Sequence, residues 1–148
     1  EEDAVVLAEQ MRATGALPSL VRCLEEARPS IHQAALLLVG NLASDAFDPK
    51  ASLTKAVLKR EGCFERLLPH LYSDDWRTLL YALGAVQNRS TDLGYVDALQ
   101  RSGVTARLQE LAQGYDVQLA RFASGCLTNM REAILLAAAT QRWRRVSF

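Results

Sequence analysis

Residues 15–41 read GALPSLVRCLEEARPSIHQAALLLVGN, and the glycine and asparagine that bracket this stretch recur twice more at the same separation. Gly15/Asn41, Gly62/Asn88 and Gly103/Asn129 are each 26 residues apart. With each glycine set as zero, offset five holds Leu20, Leu67 and Leu108, and offset twenty holds Ala35, Ala82 and Ala123. Offset twenty-four holds Val39, Val86 and Leu127. The glycines step by 47 and then 41 residues, so the variation falls in the connectors and not in the unit. A period of this length marks a repeat architecture, in which no unit can bury its own apolar face and stacking on neighbours folds the chain.

The repeating unit is helical. Gly15 interrupts the helical pattern of Val5–Arg12, as a residue tolerant of positive φ does after a helix end. Pro18 stands in a first turn, where its missing N–H costs nothing. Leu17, Leu20, Val21 and Leu24 then follow at helical spacing. Arg28–Pro29–Ser30 closes that helix and opens another over Ile31–Leu42, which is apolar on most sides and so belongs between neighbours. Phe64, Leu67, Leu68 and Leu71 form the matching stripe in the second unit, Ser73–Asp74–Asp75 is a capping segment, and Trp76–Val86 is the buried helix. Val104, Leu108 and Leu111 form the stripe of the third unit, the turn is Gln113–Gly114–Tyr115–Asp116, and Val117–Met130 is the long helix. Shorter helical stretches precede the second and third glycines, at Leu53–Arg60 and Tyr95–Arg101, and Glu132–Ala139 reads as the start of another unit.

These patterns predict an all-α chain of one domain over residues 1–148. The repeats fall at about 1–44, 50–90 and 92–131, with a partial fourth over 132–148. Each repeat is a short helix, a second helix and a long third helix. About six extra residues within Asp45–Ser52, including Phe47, Pro49 and Lys50, lengthen the loop after the first long helix. The start at Glu1, without methionine, reads as a fragment or a processed product.

Composition narrows the function. Net charge is zero, yet residues 1–48 carry eight acids and three bases while residues 49–148 carry nine acids and fourteen bases. That asymmetry suits head-to-tail contact or a bipolar partner. It leaves no electrostatic footprint for nucleic acid. No apolar run reaches the roughly 20 residues of a membrane helix. Cys23, Cys63 and Cys126 occupy different repeat offsets, and neither His32 nor His70 stands at a metal-ligand interval from them. They read as small buried hydrophobes of a reducing compartment, most simply the cytoplasm. No phosphate loop, metal cluster or paired carboxylate motif points to catalysis or a cofactor. The tail from Gln141 to Phe148, with three arginines, Trp143 and Phe148, reads as the last turn of a helix covering the end of the stack.

Gly15-Ala-Leu-Pro-Ser-Leu-Val and Leu38-Val-Gly-Asn-Leu-Ala43 resemble the armadillo repeat. So does the wider order of glycine, leucine-rich helix, small alanine and aliphatic-x-Asn-aliphatic. The resemblance implies a right-handed superhelix whose third helices line a concave groove for an extended or helical segment of another protein. In peptide-binding armadillo domains the groove carries asparagine and tryptophan columns. Here Asn41, Asn88 and Asn129 match the asparagines, and an amide can pair with both N–H and C=O of any backbone. The tryptophan column holds Leu37, Gly84 and Gly125, so the lysine slots and their cation–π contribution are missing. One rung back are Ala34, Tyr81 and Phe122, with Gln33, Arg77, Gln118 and Arg121 near them. Asn41, Arg77, Tyr81, Asn88, Arg121, Phe122 and Asn129 are therefore the expected groove residues, for a segment with apolar anchors and an acid. Two alternatives stand beside this reading. The asparagines could instead fix helix register, Tyr81 and Phe122 could pack in the core, and Trp76 reads as core or junction. The whole chain could instead be a structural subunit or spacer in an assembly. Oligomeric state is left open.

Overall fold

The structure, a computed structural model, describes residues 2–146; Glu1, Ser147 and Phe148, and with them the aromatic end of the tail, lie outside the described residues. Those residues form helices joined by turns, with no strand among them. They divide into two compact units, residues 1–88 and 89–148.

The first unit opens with α1 (Glu2–Ala13), α2 (Ala16–Cys23) and α3 (Pro29–Leu42). It continues with α4 (Ala51–Arg60), α5 (Cys63–Leu67), a 3-10 turn over Leu68–Tyr72, and α6 (Trp76–Arg89), whose last residue falls in the second unit. Gly15 and Gly62 sit at φ 69° and 74° where α1 turns into α2 and α4 into α5. That left-handed conformation explains why glycine holds the column. Pro29 occupies the first turn of α3. In the second unit, α7 (Leu93–Ser102) meets α8 (Val104–Ala112) at Gly103, φ 79°, and α9 runs from Val117 to Val146.

The fixed columns are the core. Leu20, Leu67 and Leu108 are buried, as are Ala35, Ala82 and Ala123. Val39 and Val86 are also buried, while Leu127 is half-buried. Aspartates start the later helices. The Asp75 carboxylate accepts from the backbone N–H of Thr78 at 2.7 Å, Asp92 from Gly94 at 3.1 Å and Asp116 from Leu119 at 2.9 Å. Each satisfies a first-turn donor that the helix itself leaves open.

The loop after α3 is clamped to α1. Asp48 is 1% exposed, and its Oδ2 accepts from Arg12 Nη1 at 2.6 Å while Oδ1 accepts from the Lys50 backbone N–H at 2.8 Å. Arg12 Nη1 also donates to Thr54 Oγ1 on α4 at 2.8 Å. The inserted residues thus tie three helices together. Burial works to raise the Asp48 pKa, but the hydrogen bonds from Arg12 and Lys50 and their two positive charges outweigh it and hold the carboxyl below its ordinary 3.8.

Three expectations change. Residues 117–146 form one unbroken helix, where the sequence pattern separated 117–130 from a fresh short helix at 132–139. The stretch Asn129-Met-Arg-Glu132 lacks the glycine, proline or capping side chain after Asn129 that would stop the ladder. Of the two readings of Trp76, core or junction, the core one fails, because Trp76 is 44% exposed at the residue where α6 starts. The described part of the tail, 141–146, ends α9 with its residues exposed.

Candidate functional site

The two third helices of the first unit, α3 and α6, run side by side and are stitched at both ends. Near their N-termini, Gln33 Nε2 donates to Asp75 Oδ1 at 2.9 Å and to Thr78 Oγ1 at 3.0 Å. His32 Nε2 also bonds Thr78 Oγ1, at 3.0 Å. Near the C-termini, Asn88 Nδ2 donates to the backbone carbonyl of Gly40 at 3.0 Å. Between these points the backbones nearly touch, because a β-carbon built on Gly40 would lie 3.1 Å from Ala85 Cα. A larger residue at this position would crowd the facing helix.

This stitching places the expected residues. Asn88 on α6 reaches the peptide group that joins Gly40 to Asn41 on α3. One amide of the pair is committed: Asn88 spends its N–H₂ on Gly40 and keeps its carbonyl oxygen as an acceptor. The exposed Asn41 amide has no partner among the described residues and offers both donor and acceptor. Arg77 is exposed and Tyr81 half-buried on α6, with Ala34 and Leu37 exposed on α3. Gln33, placed near this face in the sequence, is taken up by its bonds to α6.

In the second unit, α9 carries Arg121 exposed, with Phe122, Gly125 and Asn129 half-buried. Phe122, Gly125 and Asn129 follow at spacings of three and four and share a helix face. Tyr81 and Phe122 are both half-buried.

Sequence reasoning missed a histidine pair. His32 and His70 lie 38 residues apart at unrelated repeat offsets, yet their ring centroids are 4.9 Å apart. His70 Nε2 donates to the Leu24 carbonyl at 2.7 Å and His32 Nδ1 to that of Glu26 at 2.8 Å. Both rings thus tie off the end of α2. Glu25, Glu26, Glu65 and Arg66 line the same cleft. Burial lowers the His70 pKa, the Leu24 carbonyl raises it by less, and His32 lowers it further. No period or motif could have joined these two residues, because contact depends on the start of α3 meeting the 3-10 turn. Among the described residues no cluster of three His, Cys, Asp or Glu is placed to hold a metal ion. Cys63 and Cys126 are buried, and burial pushes the Cys126 thiol up to about 12, which leaves it inert as a nucleophile.

Solved structures decide the architecture. A designed armadillo repeat protein in complex with the peptide (KR)4 matches with a TM-score of 0.72 over 85% of this chain at 20% identity. The chain has an armadillo-type repeat fold. Computationally designed armadillo repeat proteins for modular peptide recognition match with a TM-score of 0.70 over 82% of the chain at 19% identity. An engineered protein matches with a TM-score of 0.72 over 84% at 26% identity. The chain spans about half the length of these armadillo structures, 51%, 49% and 50% respectively. Comparison with profiles of known families and with curated proteins returns no match. The armadillo-type repeats are all-α and number about three to four, and three positive-φ glycines join a first helix to a second. No described helix is long and apolar enough to cross a membrane.

Proposed function

We propose that the chain is a non-catalytic protein-interaction module, an adaptor or scaffold that binds a segment of a partner protein on its third-helix faces. The observation that carries this reading is the hydrogen bond from Asn88 to the Gly40 carbonyl, which holds the Asn88 amide against the residue next to the exposed Asn41, with Tyr81 on the same helix as Asn88. A fixed amide gains affinity because no side-chain freedom is lost when it binds. Designed armadillo proteins that bind peptides support it by likeness of fold. The partner segment is extended or helical, with apolar anchors for Tyr81 and Phe122 and an acid for Arg77 or Arg121. We place the module in the cytoplasm on the strength of its free cysteines.

A displayed peptide library selected on the full chain tests this. Selected segments should weaken at least about tenfold when Tyr81, Asn88, Phe122 and Asn129 are all replaced by alanine, each lost hydrogen bond contributing about 1 kcal/mol. Binding that survives the fourfold change puts the site elsewhere. Asn41→Ala separates the roles of the amides. It should weaken the peptide while leaving stability within about 0.5 kcal/mol, whereas Asn88→Ala should also cost about 1 kcal/mol of stability through Gly40.

A further inference from the structure

Thr78 sits where α3, α6 and the turn after α2 meet, and two neighbours compete for its single hydroxyl hydrogen. The residue is 1% exposed. Its Oγ1 lies 3.0 Å from His32 Nε2 and 3.0 Å from Gln33 Nε2, and its hydroxyl also bonds the Asp75 carboxylate. Gln33 can only donate here. The same Nε2 donates to Asp75 Oδ1 at 2.9 Å, and a flipped amide would set its oxygen against that carboxylate. His32 Nδ1 faces the Glu26 carbonyl at 2.8 Å, and a carbonyl only accepts, so Nδ1 carries a hydrogen. In a neutral ring Nε2 is then bare and takes the Thr78 hydrogen, which leaves Asp75 without it.

One added proton resolves the conflict. A His32 ring with hydrogens on both nitrogens donates to Glu26 and to Thr78, and the hydroxyl is released to Asp75. Thr78 Oγ1 then accepts twice and donates once, which is its full capacity. The surrounding charges direct that proton to His32. Glu25, Glu26 and Glu65 line the cleft that holds both histidines, and the lining Arg66 lies 3.1 Å from Glu25. From the head of α6 come Asp75 and Arg77. Burial disfavours charge on His70, whose ring is 4.9 Å from that of His32, so the two rings do not charge together. The Thr78 backbone N–H, and after it the hydroxyl, hold the Asp75 carboxyl below its ordinary 3.8, so Asp75 stays ionised wherever histidine titrates.

We propose that Thr78 is a proton-operated latch between α3 and α6. With His32 neutral, the hydroxyl hydrogen points to His32 Nε2. With His32 protonated, it turns to Asp75 and completes an unbroken chain of hydrogen bonds from the Glu26 carbonyl to the Asp75 carboxylate. Every part of the latch lies inside the first unit. Arg77 and Tyr81 flank Thr78 on α6, so the latch acts on the helix that carries the proposed face, yet it stands whether or not that face binds a segment.

Nitrogen-15 magnetic resonance of the histidine rings in the full 148-residue chain tests the latch, because a bare ring nitrogen and an N–H resonate far apart. The chain has two histidines, so His70→Gln assigns them. At about pH 8 His32 should show the tautomer with hydrogen on Nδ1, and towards about pH 5 Nε2 should gain its own. The Asp75 carboxyl carbon should shift in that same step, far above the pH at which Asp75 itself titrates. Thr78→Val, which keeps the shape and removes the hydroxyl, should abolish the Asp75 step, and Thr78→Ser should restore it. A plain response to the nearby charge would survive Thr78→Val. A neutral His32 with its hydrogen on Nε2 overturns the proposal. So does an Asp75 carbon that ignores the His32 step, or one that follows it without the hydroxyl. The first two outcomes are read on the wild-type chain, so they decide the matter even where Thr78→Val does not fold.

Discussion

Glycine serves two different purposes in this chain, and alanine substitution separates them. At Gly103 a β-carbon would meet nothing within 4 Å, yet φ is 79°, so Gly103→Ala should cost about 1–2 kcal/mol through backbone strain alone. At Gly40 the backbone is helical and the obstacle is Ala85 Cα at 3.1 Å, so Gly40→Ala should cost about 1–3 kcal/mol through overpacking. Urea denaturation reads both. The first role was legible in the sequence, because a turn glycine recurs at a fixed period. The second was hidden, since Gly40 lies inside an apolar run and its partner is 45 residues away. Asp48 was equally hidden, one aspartate in a loop that read as an insertion. Its pair with Arg12 is buried, so Asp48→Asn should cost about 3 kcal/mol by leaving a guanidinium without its countercharge. The folded carboxyl titrates below 3.8, so its stabilisation is full above that pH and drains as acid carries the solution through the folded value. An acid unfolding profile unchanged by Asp48→Asn would remove this account.

At the scale of elements, local chemistry settled most boundaries and tertiary contact settled the rest. The capping segment that holds Asp75 and the proline at the head of α3 were legible as start signals, whereas the cap at Asp92 was not read from the sequence and Asp116 was read only as part of a turn. The division of residues 117–146 could not, because the repeat pattern called for a break where the local residues favour helix throughout. The candidate faces follow the same rule. The asparagine column was visible from spacing, but only the meeting of α3 and α6 shows that Asn88 is spent on Gly40 while Asn41 is not. The histidine pair gives this meeting a pH dependence. In the folded chain His70 stays neutral below its ordinary 6.5, whereas the unfolded chain takes up the proton there. The unfolded state then binds more protons, so stability rises with pH across that window and is lost as pH falls from 6.5 through the folded value. The urea midpoint should therefore drop on acidification from neutral pH towards about 5. His70→Gln, which keeps a donor for the Leu24 carbonyl, should flatten that drop, and an equal slope in both proteins would show that another group is responsible.

Across the whole molecule, stability in a repeat protein is a sum of units and their contacts, so it falls where a unit lacks a neighbour. That makes α9 uneven along its length. Its first half is held by Leu119, Ala123, Cys126 and Met130 in the core, while residues 131–146 have helix hydrogen bonds but no buried side chain. A helical stretch with no packed face is only marginally stable in water. Amide hydrogen exchange should then divide the helix near Met130, with slow exchange before it and exchange faster by several decades after it. Uniform protection along α9 in dilute monomer would mean that its distal half is stabilised by something other than burial, and the reasoning from exposed apolar surface would fail with it.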